Sequence, residues 1–208
     1  NLSVGDRIAI PRRMPMPDRH ASWTNDQLIL LAHLIGDGCY ASGQPLHYTT
    51  ASEANARIVE SAAEAAFGIR ARRVRQANWM HLYLSASGNK WHPNPLRAWL
   101  RAIEIDGQRS PEKHVPRAIF SLDDDQVALF LRHLWATDGC IWKRRTSKGP
   151  IARVYYATSS LRLAGDVEAL LGRFGIVTRT KIVQKRGYSP SFHVHVVGVT
   201  DQLHFARR

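Results

Sequence analysis

The sequence predicts a mixed α/β protein made of two matching halves, each running helix, hairpin, helix, hairpin, helix. Three repeated features carry that prediction. The stretch Leu30-Leu31-Ala32-His33-Leu34-Ile35-Gly36-Asp37-Gly38 has a counterpart in Leu131-Arg132-His133-Leu134-Trp135-Ala136-Thr137-Asp138-Gly139, and each copy is followed by a cysteine, Cys39 or Cys140. The triplet Phe67-Gly68-Ile69 returns as Phe174-Gly175-Ile176. Tyr48-Thr49-Thr50-Ala51-Ser52 returns as Tyr156-Ala157-Thr158-Ser159-Ser160. The chain therefore reads as two αββαββα units, 23–120 and 121–208, behind a leading segment 1–22.

Segment 1–22 has no helical period; Ser3 to Arg13 reads as a turn, a short strand and a proline stop. Thr24 is a plausible N-cap for the first repeated helix. A glycine just past an apolar helical run is a usual left-handed C-cap, so Gly38 and Gly139 are expected to end their helices that way. A hairpin follows Gly38, turning at Gly43-Gln44-Pro45, with Leu46–Ala51 as its second strand. Ser52 caps a helix over 53–67. Arg70–Arg75 and Trp79–Ser85 read as strands; in the latter, Met80, Leu82 and Leu84 alternate with His81, Tyr83 and Ser85, the period of a half-buried strand. A short helix over Leu96–Ile103 closes the half.

The second half repeats this order. Asp123-Asp124-Asp125 suits a helix N-terminus, where the dipole favours negative charge. Strands are expected at Ile141–Arg145 and Ala152–Thr158 around the turn-like Ser147-Lys148-Gly149-Pro150. Ser159 or Ser160 caps the next helix. Strands Val177–Lys185 and Phe192–Val197 follow, and a final helix starts near Asp201. Cys39 and Cys140 are expected to begin buried strands, and Trp135 to pack against the first half.

Composition narrows the function classes. The 208 residues are 44% hydrophobic and 22% charged, values of a soluble globular protein. No apolar run is long enough to span a membrane and no signal peptide is evident, so a cytoplasmic protein is expected. Two cysteines are too few for a disulfide framework. The net charge of +12 points to a polyanionic partner, with nucleic acid ahead of membrane.

The repeated run also suggests chemistry. Asp37 and Asp138 each stand at the negative end of a helix, beside carbonyls that lack an intrahelical partner. Ala32 and Gly36 share one helix face and allow another backbone to come close. If the two helices pack side by side, two carboxylates converge, as phosphodiester hydrolysis with divalent metal requires. One Asp-Gly helix end alone would ordinarily be a solvated terminus; its repetition changes that reading.

The two runs resemble the LAGLIDADG motif of homing endonucleases, in the variants carried by inteins. The third motif position, usually glycine, is Ala32 in one copy and His133 in the other. Glu112-Lys113-His114-Val115-Pro116 resembles the lysine-proline segment between the two motifs of intein endonucleases. The resemblance covers residues 23–208 and implies the LAGLIDADG homing endonuclease fold with two saddle-shaped antiparallel sheets. It implies a double-strand DNA endonuclease using Mg2+, with Mn2+ or Ca2+ as substitutes in binding. Asp37, Asp138 and Lys113 would be catalytic, and Asp37, Asp138, Gly36 and Thr137 would hold the metal. The leading segment resembles the stretch that leads out of an intein splicing domain, and other segments, Asp125–Trp135 and His204–Arg208, look most like the intein of bacterial replicative DNA helicases. The implied partners are double-stranded DNA and the splicing domain of the same intein. A monomer acting as a pseudo-dimer is expected, with no splicing by this fragment itself.

Basic residues concentrate on the expected hairpins. Arg70, Arg72, Arg73 and Arg75 form one cluster, Lys143, Arg144, Arg145 and Lys148 another, and Arg179, Lys181 and Lys185 share a strand face. With His81, Tyr83, His193 and His195 they are the candidate DNA contacts. Arginine can pair with guanine in the major groove, while lysine more often meets phosphate. Part of this charge could equally be solvated strand edge. His193 and His195 lack a matching cysteine pair, which makes zinc a weak reading. Two rivals share the fold: a DNA-binding protein that does not cut, and an RNA maturase.

Overall fold

The computed structural model describes Ser3 and residues 23–85, 93–147 and 149–207. The leading segment, Ser3 apart, and Lys148 lie outside the described residues. The first half contains α1 (Asn25–Asp37), β1 (Gly38–Cys39), β2 (His47–Thr50), α2 (Glu53–Phe67), β3 (Arg72–Arg75), β4 (Met80–Tyr83) and α3 (Pro95–Ala102). Two short 3-10 turns, Ser110–Glu112 and Arg117–Ser121, lead to the second half. That half contains α4 (Asp124–Asp138), β5 (Gly139–Thr146), β6 (Gly149–Thr158), α5 (Leu161–Arg173), β7 (Thr178–Val183), β8 (Ser191–Val196) and α6 (Val199–Ala206). The element order is the same in both halves, as the repeats predict.

Each half forms one antiparallel four-stranded sheet, in the orders β1-β2-β4-β3 and β5-β6-β8-β7. Tyr48 pairs with Leu82 in the first sheet, and Tyr156 with Val194 in the second; all four are fully buried. Successive strand residues alternate faces, so His47, Thr49, His81 and Tyr83 share the opposite, half-buried face. The helices start where the sequence supplies a side-chain acceptor. Thr24 forms a reciprocal capping box with Gln27, while Ser52, Asn94, Asp123 and Ser160 accept from a backbone N–H of the first helical turn.

The glycine caps fall elsewhere than expected. Gly38 (φ −84°) and Gly139 (φ −78°) are extended, because each helix runs straight into a strand. Left-handed glycines end α2 and α5 instead, in the Phe-Gly-Ile triplets: Gly68 (φ 65°) and Gly175 (φ 71°). Other bounds also shift. Arg70 precedes β3, Lys185 lies beyond β7, and Pro150 belongs to β6. Cys39 and Cys140 begin strands but are only half-buried. Trp135 does not reach across to the first half: its ring packs on Tyr156 and Phe205, with centroids 5.6 and 4.6 Å away.

The two repeated helices lie together at the centre, and α1 packs more extensively on α4 than on any other element. The crossing is close at Gly36, where a Cβ would stand 2.0 Å from the Thr137 hydroxyl. Further along, the fully buried His33 takes up the bulk of His133: the rings meet Nε2 to Nδ1 at 3.2 Å, and His33 Nδ1 meets the Tyr48 hydroxyl at 3.0 Å. Burial, with His133 adjacent, pushes the His33 pKa down to about 4, so the pair is neutral at ordinary pH.

Candidate active site

Because α1 and α4 are packed and both end in aspartate, Asp37 and Asp138 open into one cavity of about 340 Å³, with Gly36 and Lys113 also in its wall. Each carboxyl titrates above its ordinary range. For Asp37, burial first and then the Asp138 charge, opposed by Lys113, raise the pKa to about 6. Asp138 is raised by burial against the same ammonium. Two carboxylates with uncompensated charge form a site that gains by taking up a cation.

Lys113 is placed differently from a free ammonium facing the cavity. Its side chain is 5% exposed, and Nζ donates to the carbonyls of Gly38 (2.8 Å), Gly36 (2.9 Å) and Leu34 (3.3 Å). These are carbonyls at the end of α1, so all three ammonium hydrogens are occupied in closing that helix. The Tyr40 ring lies 5.2 Å away. Burial lowers the Lys113 pKa to about 8, while Asp138 and Asp37 pull it back up. Lys113 therefore acts on the aspartates through the backbone and through its field.

Among the described residues no lysine closes the end of α4. Thr137 Oγ1 donates to Leu134 O (2.6 Å), and Asn55, from α2 of the other half, donates to Ala136 O (3.0 Å). Sequence reasoning missed Asn55. Its one signal is its place three residues after the Ser52 cap, within the first turn of a helix.

A metal held here would rest on the carboxylates of Asp37 and Asp138 and on nearby carbonyls. These are hard oxygen donors, as Mg2+ prefers. The Gly36 carbonyl keeps a second lone pair beyond its bond from Lys113. Among the described residues no three His, Cys, Asp or Glu side chains converge, so the remaining ligands would have to be backbone, water or substrate oxygens. His193 and His195 find no such third partner. Instead His193 stacks on Tyr155 at 5.0 Å, and His195 packs tilted against the same ring at 5.1 Å.

The first arginine cluster is divided. Arg73 and Arg75 face the helices: Arg73 forms ion pairs with Glu60 (2.5 Å) and Glu53 (2.6 Å), and Arg75 meets Glu53 at 3.4 Å. Arg70 pairs with Glu64 at 3.2 Å. Only Arg72 joins the open sheet face, its guanidinium 4.6 Å from the Tyr83 ring, beside His81 and His47. In the second sheet the register puts Arg179 opposite His195 and Lys181 opposite His193. Arg179, Lys181, Arg153 and Tyr155 share a second cavity of about 600 Å³ with both histidines. Beyond Val154, β5 and β6 pair only with each other, a two-stranded arm. Lys143, Arg144 and Arg145 are exposed on it, and Arg153 lies over Trp142 at 5.6 Å.

Residues 125–208 match the family described as LAGLIDADG-like domain. The chain is 41% identical over 215 aligned positions to the replicative DNA helicase DnaB of Rhodothermus marinus, covering 100% of this chain and 22% of the helicase. It is 38% identical over 205 positions to the replicative DNA helicase DnaB of Synechocystis sp., covering 96% of this chain and 23% of that one. The chain thus spans less than a quarter of the length of these curated relatives. Mesophilic variants of the homing endonuclease I-DmoI superpose with a TM-score of 0.57 at 14% identity, over 88% of this chain and 93% of that one. I-DmoI in complex with DNA and Mn gives 0.54 at 14% identity, over 88% and 94%. At such identity the likeness concerns the fold. No helix among the described residues is long and apolar enough to cross a membrane.

Proposed function

From the match of residues 125–208 to the LAGLIDADG-like domain, we propose that this chain is a LAGLIDADG protein, a site-specific, double-strand DNA homing endonuclease encoded within an intein of a bacterial replicative DNA helicase. The observation that carries the reading is the arrival of Asp37 and Asp138, from two packed helices, in one cavity. The short alignment within much longer helicases supports an insertion. Its DNA would be the same gene without the insertion.

Asp37 and Asp138 hold the metal, with the carbonyls of Gly36 and Thr137 as further oxygen donors. Bound Mg2+ would supply Lewis acidity and an activated water; Mn2+ and Ca2+ are the expected substitutes in binding. The chain's own residues keep the two carboxylates together, and Lys113 fixes the carbonyls on either side of Asp37. The open sheet faces take the duplex. Arg72, His81 and Tyr83 serve one half-site. Arg179, Lys181, His193, His195 and the arm residues Lys143, Arg144 and Arg145 serve the other. We expect the protein to act as a monomer whose halves replace two subunits, in the bacterial cytosol, beside the splicing domain of its intein.

The test is incubation with plasmid carrying the uninterrupted helicase gene, with and without Mg2+. Linear product only with metal, and only from plasmid holding the insertion site, is the expected result. Tight, site-specific binding without any cut in Mg2+ or Mn2+ would instead identify a non-cleaving DNA-binding protein.

A further inference from the structure

The two aspartates are supported by parts that come from opposite halves of the molecule. At the α4 end the support is direct: Asn55, in the first turn of α2, donates to Ala136 O. In the second half the position matching Asn55 is Leu163, three residues after the matching cap Ser160, and leucine cannot donate. There the linker intervenes. Ser160 is fully buried, and its hydroxyl accepts from Leu163 N (3.1 Å) while donating to Lys113 O (2.6 Å). Two residues on, Val115 N donates to Asp166 of α5 at 2.8 Å. The backbone of Lys113 is thus fastened to α5, and its ammonium is fastened to the end of α1. Ser52, the matching cap in the first half, accepts from Asn55 N of its own helix and, among the described residues, has no bond to the linker.

We propose that Asn55 and Ser160 are positioning residues of the active site. Each sits at the N-terminal end of the second helix of its own half and fixes the motif-helix end, and hence the aspartate, of the other half. Asn55 acts directly on α4. Ser160, helped by Asp166, acts on α1 through Lys113. Neither residue touches the reacting atoms. The inference rests on the endonuclease reading for its effect on cleavage, but the clamps themselves can be measured without any activity.

The experiment compares Asn55→Ala, Ser160→Ala and Asp166→Ala with Asn94→Ala, which removes the cap of the peripheral helix α3. Amide hydrogen exchange is followed by NMR in the metal-free protein. Gly38 N–H bonds to Leu34 O at the end of α1, and Gly139 N–H bonds to Trp135 O at the end of α4. Ser160→Ala and Asp166→Ala should speed exchange at Gly38 by about tenfold or more and leave Gly139 as in the parent. Asn55→Ala should do the reverse, and Asn94→Ala should change neither. In cleavage, Asn55→Ala and Ser160→Ala should raise the Mg2+ concentration for half-maximal rate by about 10–100-fold, as loss of a ligand's supporting partner does. Their DNA affinity in Ca2+ should stay that of the parent. If Ser160→Ala and Asn55→Ala loosen both glycines alike, or neither, or no more than Asn94→Ala does, the clamps do not exist. Likewise, a normal metal requirement in both variants of a cutting parent overturns the positioning role. A parent that never cuts, yet shows the separate exchange pattern, would remove the endonuclease reading and leave the clamps standing.

Discussion

An Asp37 carboxyl with a pKa of about 6 is half protonated at a pH where a free aspartate is fully ionised. Between the ordinary carboxylate range and pH 6 the folded chain holds a proton that the unfolded chain has lost. The contribution of Asp37 to stability therefore falls as pH rises through that window. His33, held down near 4, works in the opposite direction: below about 6.5 the unfolded chain takes up a proton that the folded one refuses. Asp37→Asn removes one of these opposed slopes. Its melting midpoint should drop more steeply than the parent's between pH 7 and pH 5, and parallel curves would refute that account. The same variant, and Asp138→Asn, should cut slower by about 10²–10³-fold, the usual cost of removing a preorganised charge. Both should bind the DNA site as tightly as the parent in a filter or gel-shift assay. Gly36→Ala would drive a methyl group into Thr137 and should cost about 1–3 kcal/mol of unfolding free energy, read by urea titration.

At the level of elements, the strand period separates arginines that stand side by side in sequence. Arg73 belongs to the α2 face and holds Glu53 and Glu60, whereas Arg179 stands on the open face of the second sheet. Arg73→Ala should lower the melting midpoint and leave the salt dependence of DNA binding alone. Arg179→Ala should reduce the slope of log affinity against log salt by about 1 and leave the midpoint unchanged. The opposite pattern would show that the sheet faces are assigned the wrong way round. Most elements were legible from the chain, because Ser52, Asp123, the Phe-Gly-Ile triplets and the alternation of Met80 to Tyr83 report local physics. The partition of Arg70 to Arg75 was not, since it depends on which face α2 covers and on where Glu53, Glu60 and Glu64 project. The two aspartates were legible because they repeat. Asn55 was not, since a polar residue in a first helical turn gives no sign of a partner elsewhere, and the second role of Ser160 was not, since a cap looks the same whether it serves its own helix or also a neighbour. Lys113 was found through the resemblance of Glu112–Pro116 to the lysine-proline segment of intein endonucleases, but its burial under α1 comes from tertiary packing alone.

For the molecule as a whole, the surplus of positive charge and the paired acids set two bulk properties. DNA affinity should fall steeply with salt, by about 10³–10⁵ between 50 and 200 mM if six to ten phosphates are met; a flat dependence would contradict the open-face interface. Mg2+ without DNA should raise the melting midpoint near pH 8, above the Asp37 pKa of about 6, and should have no such effect on the Asp37→Asn, Asp138→Asn double variant. The crossed supports carry one more consequence. The second half doubled would have neither Asn55 nor Lys113 to close its helix ends. The first half doubled would carry Lys113 twice, but Ile58 stands where Asp166 holds the linker. Cutting this gene in two and pairing either piece with itself should not yield an enzyme for palindromic DNA. Because each half lends part of its scaffold to the other, the two halves are no longer interchangeable, and a site they read together has no need to be the same on its left and on its right.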